Sequence, residues 1–333
     1  MFSIDRNTLF RLRPFCNTDP PNLVDVWRSQ TSNCELLESI SVSALEHFVF
    51  AKPYFDRNGL ILAESDGRVI GFVHAGFGPN QEYSDISFQD GVICMLQVLP
   101  GFDASGARGQ LFDAAEEYLI GKGAGRIFGG AHPPFIPFYH GLLNFGELSG
   151  VPHDDQPMHD MYQARNYWLL REYCIMNCEL GSRRAVVDRN QWQLARSYEV
   201  RPTLDHAFDN WWESCAFGPV PRSKFELINH AGIPCGSMLW WDLEPSRTTF
   251  GPAVAISRVG IDDDRRRSGL ATLLVSSALK QLKASGITLA QVSVPTSNEA
   301  AMELFRKLGF SEVNRGYAYL KHVDEETTES NVS

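Results

Sequence analysis

The run Arg265-Arg266-Arg267-Ser268-Gly269-Leu270-Ala271, set between a strand pattern and a helix pattern, constrains this chain more than any other stretch. Upstream, Val254 to Ile261 is β-branched and alternating, which predicts a buried strand. Downstream, Leu270, Leu273, Leu274, Ser277, Ala278 and Leu282 recur at three- and four-residue steps, one face of a helix that Gly286 stops. A strand turning straight into a helix leaves backbone N–H groups convergent and unpaired, with the positive end of the helix dipole behind them. Such a turn is an anion cradle, fit for a phosphate or pyrophosphate. Gly269 admits close approach of a ligand to the backbone, and Ala271 keeps the next position small. The competing reading is a solvated basic turn in some other α/β fold.

Arg266-x-x-Gly269-x-Ala271 after a strand resembles the Arg/Gln-x-x-Gly-x-Gly/Ala loop of the GNAT acetyltransferase superfamily, which holds the pyrophosphate of acetyl-CoA. The segment from Asn298 through Phe305 to the Gly309-Phe310 pair is similar to that family's next helix, with a predicted strand, Leu289 to Val294, between the two motifs. The resemblance covers residues from about 195 to 323. It implies that the loop residues Arg266, Arg267, Ser268, Gly269, Leu270, Ala271 and Thr272 grip coenzyme A, with Arg265 or Arg266 adding charge-assisted bonds. It also implies that Val259 and Ile261 pair with the pantetheine arm where their strand splays, and that Asn298 contacts that arm. A backbone N–H near Val259 would polarise the thioester carbonyl.

The activity so implied is acetyl transfer from acetyl-CoA to a primary amine of a small molecule or a protein or peptide. An alkylammonium cannot attack a thioester, so a base is required. The strand 254–261 carries no carboxylate, which leaves Glu226, Asp242 and Glu244. The family's usual proton donor, a tyrosine seven residues past the asparagine, is Phe305 here; Tyr317 and Tyr319 on the predicted last strand are the substitutes. Those two departures keep open a second function, a non-catalytic acyl-CoA-binding sensor or scaffold. A third is an enzyme whose two halves build one pocket.

The chain has 333 residues, enough for two domains, and its first half has the grammar of the second. Strands at Gly59 to Ser65 and Val69 to Phe77, joined by the hairpin turn Asp66-Gly67, precede a strand at Val92 to Leu99, a Gly-rich loop and a helix. Gly106 and Gly269 lie 163 residues apart, as do Gly123 and Gly286, which points to duplication. The expected fold is α/β (α+β), two tandem GNAT-like domains, each a mixed, mostly antiparallel twisted sheet flanked by helices. The first spans 1–182, the second 183–323, and 324–333 reads as an acidic disordered tail. Asp103 stands where the second loop has Arg266, and Arg108 where it has Ala271, so the first loop is expected to bind acyl-CoA poorly.

Tyr173 aligned on Phe310 gives a spacing of 137, hence roughly 26 extra residues at about 133–157. That insertion is rich in aromatic, His and Asp residues, without metal-ligand spacing; it is expected to be a lid or packing segment, and no metal is expected. Trp211, Trp212 and Glu213, with Trp240 and Trp241, would suit a cationic amine or simply pack. A net charge of −10 argues against a nucleic-acid surface. No apolar run approaches about 18 residues, so no membrane span is expected. Seven cysteines without paired spacing suit free thiols in a reducing cytosol, and the start lacks a leader pattern, so a cytoplasmic monomer or homodimer is expected.

Overall fold

The computed structural model describes residues 10–29, 40–102, 106–140, 142, 146–181, 189–218, 220–243 and 251–323; the acidic tail lies outside them. The chain runs β1 (Arg11–Pro14), α1 (Pro20–Ser29), α2 (Val42–Leu45), β2 (Leu60–Ser65), β3 (Arg68–Pro79), β4 (Ile86–Val98), α3 (Ala107–Gly121) and β5 (Arg126–Gly129). After these come β6 (Val151–Pro152), α4 (Gln156–Ala164), β7 (Trp168–Glu179), α5 (Arg189–Leu194), β8 (Tyr198–Thr203), α6 (Trp211–Phe217) and β9 (Ser223–Asn229). The remainder is β10 (Pro234–Leu243), β11 (Ala253–Ile261), α7 (Leu270–Ala284), β12 (Leu289–Pro295), α8 (Glu299–Lys307) and β13 (Ser311–His322).

Local chemistry sets these elements. Asp66 and Gly67 both take positive φ, 50° and 78°, the backbone that closes a tight hairpin, and they fix Ser65 opposite Arg68. Helix α7 buries Leu270, Leu273, Leu274, Val275, Ala278, Leu279 and Leu282 along one face. Each leucine so buried contributes about 1.5–3 kcal/mol. Together with Met302 and Phe305 of α8 they cover Val254 and Ile256 of β11 and Ala290 and Val292 of β12. The opposite face of the same strands, Ala253, Ala255 and Leu289, packs with Trp241 and Phe217.

The strands form one mixed sheet in the order β1-β2-β3-β4-β5-β13-β7-β12-β11-β10-β9-β8, with β6 beside β13. Parallel pairing occurs at β4–β5 and β11–β12. The final strands are exchanged. β13 pairs with β5 of the first half, and β7 pairs with β12 of the second. The sheet therefore does not follow chain order across residue 182, and two hydrophobic cores share a continuous backbone ladder.

The repeat holds residue for residue in three pairs of elements. Helices α3 and α7 start 163 residues apart and end 163 apart. Helices α4 and α8, and strands β7 and β13, are 143 apart at both ends. The insertion is thus 20 residues, not 26, and Tyr167, not Tyr173, is the counterpart of Phe310. The amide of Tyr167 bonds to Tyr162 O at 3.0 Å just as that of Phe310 bonds to Phe305 O at 3.0 Å. The misalignment has a physical source. Asn166, at φ 62°, fills the left-handed position that Gly309 fills at 88°, so the Gly-Phe pair of the second half is Asn-Tyr in the first. Among the described residues no helix is long and apolar enough to cross a membrane.

Candidate active site

Strands β11 and β12 pair only from Ala253↔Leu289 to Ile256↔Val292. Beyond that point Ser257 to Ile261 keep β10 on one side and splay away from β12 on the other. Between Leu239↔Ser257 and Ser237↔Gly260, β11 carries one extra residue, a bulge where Arg258 takes φ 48°. Val259 is half-buried in the splayed stretch, while Ile261 belongs to the core. The splay that the pantetheine reading needs is present.

After Ile261 the chain makes a short turn at Asp263–Arg265, takes a positive φ of 58° at Arg267, and enters α7 through Gly269 at 87° with no side-chain cap. The amides from Arg267 to Thr272 have no hydrogen-bond acceptor among the described residues. Ser268 donates to Arg265 O at 2.6 Å. Arg266 is drawn back to Ile261 O at 3.1 Å and to Asp263 at 2.5 Å, so it braces the loop. Gly269 has a second reason to be glycine, one the sequence reading missed. A Cβ there would stand 3.0 Å from Asn190 Nδ2 and 3.3 Å from Gln191 Nε2, because α5 lies over that side of the loop. Gln191 also donates to Gly269 O at 3.2 Å. Asn298 caps α8, its side chain accepting from Ala301 N at 3.1 Å.

The other expected residues do not gather here. Tyr317 and Tyr319 sit on β13, which β7 separates from β12, so strand exchange carries both to the first half. Tyr319 meets His159 Nδ1 at 2.7 Å and stacks on Tyr162, and Tyr317 lies 3.2 Å from His153 Nδ1. Glu226 is on β9, beyond β10, and pairs with Lys224 at 2.8 Å. Asp242 pairs opposite Val254, away from the splay, and Glu244 lies outside the described residues. Phe305 is core, edge-on to Phe310 at 5.0 Å.

The first half has a matching cleft. Its parallel pairing ends at Ile93↔Gly129, each residue 163 before its counterpart, and Cys94 is the extra residue of a bulge on β4. A cavity of about 210 Å³ passes through this splay, lined by Trp27, Cys94, Gln97, Gly130, Tyr162 and Glu147 among others. Tyr162 stands seven residues past the α4 cap Asp155, the position held in the second half by Phe305. Nothing lies within 4 Å of a Cβ at Gly106; residues 103–105 of that loop are outside the described set.

Between the halves lies a second cavity of about 470 Å³, walled by Tyr83, His140, Glu147, Trp212, Phe217 and Arg258 with neighbouring residues. The insertion reaches it by crossing β11 and β12: Gly146 N donates to Gln291 Oε1 at 2.6 Å, and Ser149 Oγ meets Ser293 Oγ at 2.5 Å. Trp212 stacks on Tyr54 and donates to Pro134 O at 3.0 Å, so the tryptophan pair serves inter-half packing. Glu213 is bound by Arg222 at 2.8 Å and by Arg258, which hold its carboxyl below the usual range against its burial. Glu147 has no such bond among the described residues. Burial pushes its carboxyl up to about 7, with Arg258 pulling down and Glu213 pushing up. Sequence reading missed Glu147, a lone acid in a loop without periodicity. Tyr162 was legible only by counting from Asp155.

The comparisons with known proteins fit this geometry. Residues 189–310 match the model of the acetyltransferase (GNAT) family. Among solved structures, a GCN5-related glucosamine N-acetyltransferase region of a fungal multi-domain GH3 β-N-acetylglucosaminidase superposes with a TM-score of 0.69 at 15% identity over 94% of this chain. This chain spans 38% of that protein's length. A tandem GNAT protein from the clavulanic acid biosynthesis pathway gives 0.64 at 14% identity, covering 94% of this chain and 98% of the other. A GCN5-related N-acetyltransferase from Sphaerobacter thermophilus gives 0.61 at 14%, covering 94% and 95%. These likenesses are of fold. No curated protein matches significantly in sequence.

Proposed function

We propose, for a chain whose residues 189–310 belong to the acetyltransferase (GNAT) family, that it transfers an acetyl group from acetyl-CoA to a primary amine, with the donor gripped by the second half. One observation carries this reading: the β11–β12 splay opens beside a helix start whose amides, Arg267 to Thr272, lack acceptors among the described residues. Four or more convergent N–H groups at a helix terminus fit a diphosphate. Those residues, with Gly269 shaping the turn and Arg266 bracing it, would hold the pyrophosphate. The free edge at Val259 would take the amide-bearing arm, and Asn298 borders it from α8. Coenzyme A supplies the activated thioester. The chain supplies the grip, orientation and a place for the amine's proton.

Phe305 gives the second-half cleft no hydroxyl with which to protonate a thiolate. Thiolate departs tolerably unaided, so transfer still proceeds. A specific observation favours a second reading, in which the donor occupies the first half: that cleft holds the 210 Å³ cavity and Tyr162. The side chain at Arg108 and the acid at Asp103 weigh against it. A soluble amine, or an exposed peptide amine, is the acceptor; oligomeric state and the cytoplasmic compartment remain part of the proposal.

The test is thiol release from acetyl-CoA by the purified full chain with a panel of primary amines. Release that depends on the amine supports the enzyme. Tight acetyl-CoA binding with no release for any amine would instead identify the sensor or scaffold.

A further inference from the structure

The cavity between the halves is distinguished by two polar groups without a hydrogen-bond partner among the described residues. His140 is almost fully buried, wedged 4.0 Å from Phe217 and 5.3 Å from Trp241 between ring centroids. Neither of its ring nitrogens has a hydrogen-bond partner among the described residues. Buried imidazoles ordinarily find partners, so a wall residue without one marks a place where a ligand's polar group fits. Burial, with Lys52 and Arg222 nearby, pushes His140 down to about 3, which leaves it neutral and able to accept a bond. Glu147 is the second group, lining both this cavity and the first-half cleft.

The charges facing Glu147 can be enumerated. From β11 comes Arg258 and from α6 Glu213. Arg258 is committed to Glu213 and to Asp209 at 3.6 Å, and Arg222 completes that set against Glu213. Two cations and two carboxylates cancel. Tyr173 of β7 feels the Glu147 charge, its own hydroxyl raised mainly by burial and lowered by the Arg171 cation of the same strand. Asp155 and Arg315 line the first-half cavity that Glu147 also borders. Lys52 adds a third cation at the wall, held by Cys215 O and Ala216 O, so what sets Glu147 apart is geometry. Of the two carboxylates lining the cavity, Glu213 is ion-paired and Glu147 has no ion-pair partner among the described residues, in an aromatic enclosure of Trp212, Phe217 and His140. That combination recognises a cation with an apolar stem.

We propose that the inter-half cavity seats a primary alkylammonium acceptor and that Glu147 takes the proton that must leave before the amine can attack. This rests on the reading that the chain acylates an amine, and it deepens that reading by naming the acceptor class and the base. The ammonium nitrogen gives one proton to the Glu147 carboxylate, and its freed lone pair forms the C–N bond to the thioester carbonyl carbon. The C–S bond breaks, its electron pair leaving on sulfur. The second nitrogen proton passes to that thiolate, so one amide, one thiol and one protonated carboxyl result. Glu147 then returns its proton to water. A carboxyl poised near neutrality suits this role, ionised often enough to accept yet basic enough to matter.

Butylamine binding to the full chain, without any acyl donor, tests the site separately from turnover. Calorimetry is expected to find affinity rising about tenfold between pH 6 and pH 8 as Glu147 ionises, and falling at least about tenfold in Glu147→Gln with the pH dependence gone. Coenzyme A affinity should stay within about twofold in that variant, and the isosteric amide relieves a buried charge, so the fold is preserved. In turnover, Glu147→Gln should lose about 10²–10⁴-fold in kcat and the acid limb near pH 7. Butylamine binding equally to Glu147→Gln, or not at all to the native chain, overturns the proposal. A native chain that binds butylamine through Glu147 yet releases no thiol keeps the site and sinks the acyltransferase reading instead.

Discussion

The two clefts of this molecule have one backbone and two chemistries. Parallel pairing ends at equivalent residues, Ile93↔Gly129 and Ile256↔Val292, and each following helix starts from a glycine of positive φ, 80° at Gly106 and 87° at Gly269. Yet the second half has the cation-rich loop and small Ala271 with Phe305 on its next helix, whereas the first has Asp103 and Arg108 with Tyr162. Duplication preserved what the sheet requires, because backbone register cannot drift without turning side chains to the wrong face. Side chains inside the clefts were under no such constraint. The teaching is that the loop proposed to grip pyrophosphate and the hydroxyl at the proton donor's position, which one site would combine, lie in different halves, across the pseudo-two-fold axis near Gly316↔Tyr173.

The widest test of that division is Tyr162→Phe against Phe305→Tyr. With the donor in the second half, Tyr162→Phe should leave thiol release within about twofold; loss of a needed proton donor would cost about 10²-fold or more and move the site to the first half. Next in size, Glu213→Ala would leave Arg222, whose side chain is fully buried, with only Asp209 at 3.7 Å and Ala207 O at 3.4 Å, at a cost of about 3–5 kcal/mol. Asp19→Ala in the first half should cost less, since Arg13 retains Glu64 at 2.7 Å. Denaturant titration of both variants checks the order. Leu111→Ala and Leu274→Ala, equivalent and fully buried, should each lose about 2–5 kcal/mol. Because β7 and β13 are exchanged, both should shift one shared unfolding transition; two separated calorimetric peaks would break that expectation.

The smallest effects are in pH. The carboxyl of Glu147 is raised in the folded state, so its contribution to stability is present at low pH and is lost as pH rises from about 4.5 to about 7. Lys52, which donates to Ala216 O at 2.8 Å and to Cys215 O, is lowered to about 8 by burial. Its neutral form's contribution is present above about 10.5 and lost as pH falls through about 8. Thermal melts across pH should lose the first dependence in Glu147→Gln and the second in Lys52→Met.

Much of the fold was legible because periodicity and glycines carry it. The Asp66-Gly67 hairpin, the helix from Leu270 to its stop at Gly286, and the 163-residue repeat all follow from local rules. Strand exchange was not legible, since β13 is bonded to residues far away in sequence and no local preference encodes which neighbour it takes. That one fact moved Tyr317 and Tyr319 out of the second cleft. Asn166 in a glycine's conformation hid the true alignment, and with it Tyr162. Glu147 and His140 lie in irregular backbone, where only the packed cavity reveals what they face. The loop glycine was read as room for a ligand at the backbone; its positive φ and the helix resting on it were not foreseen.

The central claim is that coenzyme A docks on the second loop. Calorimetric titration of coenzyme A into Ala271→Glu and into its equivalent Arg108→Glu tests this most directly. A carboxylate in a first helical turn favours the helix itself by about 0.3–1 kcal/mol, but Ala271 packs partly against the second core, so thermal melts of both variants separate lost binding from lost folding. Ala271→Glu should weaken binding at least about 100-fold and Arg108→Glu by no more than about threefold. The reverse pattern would contradict the account and hand the donor to the first half.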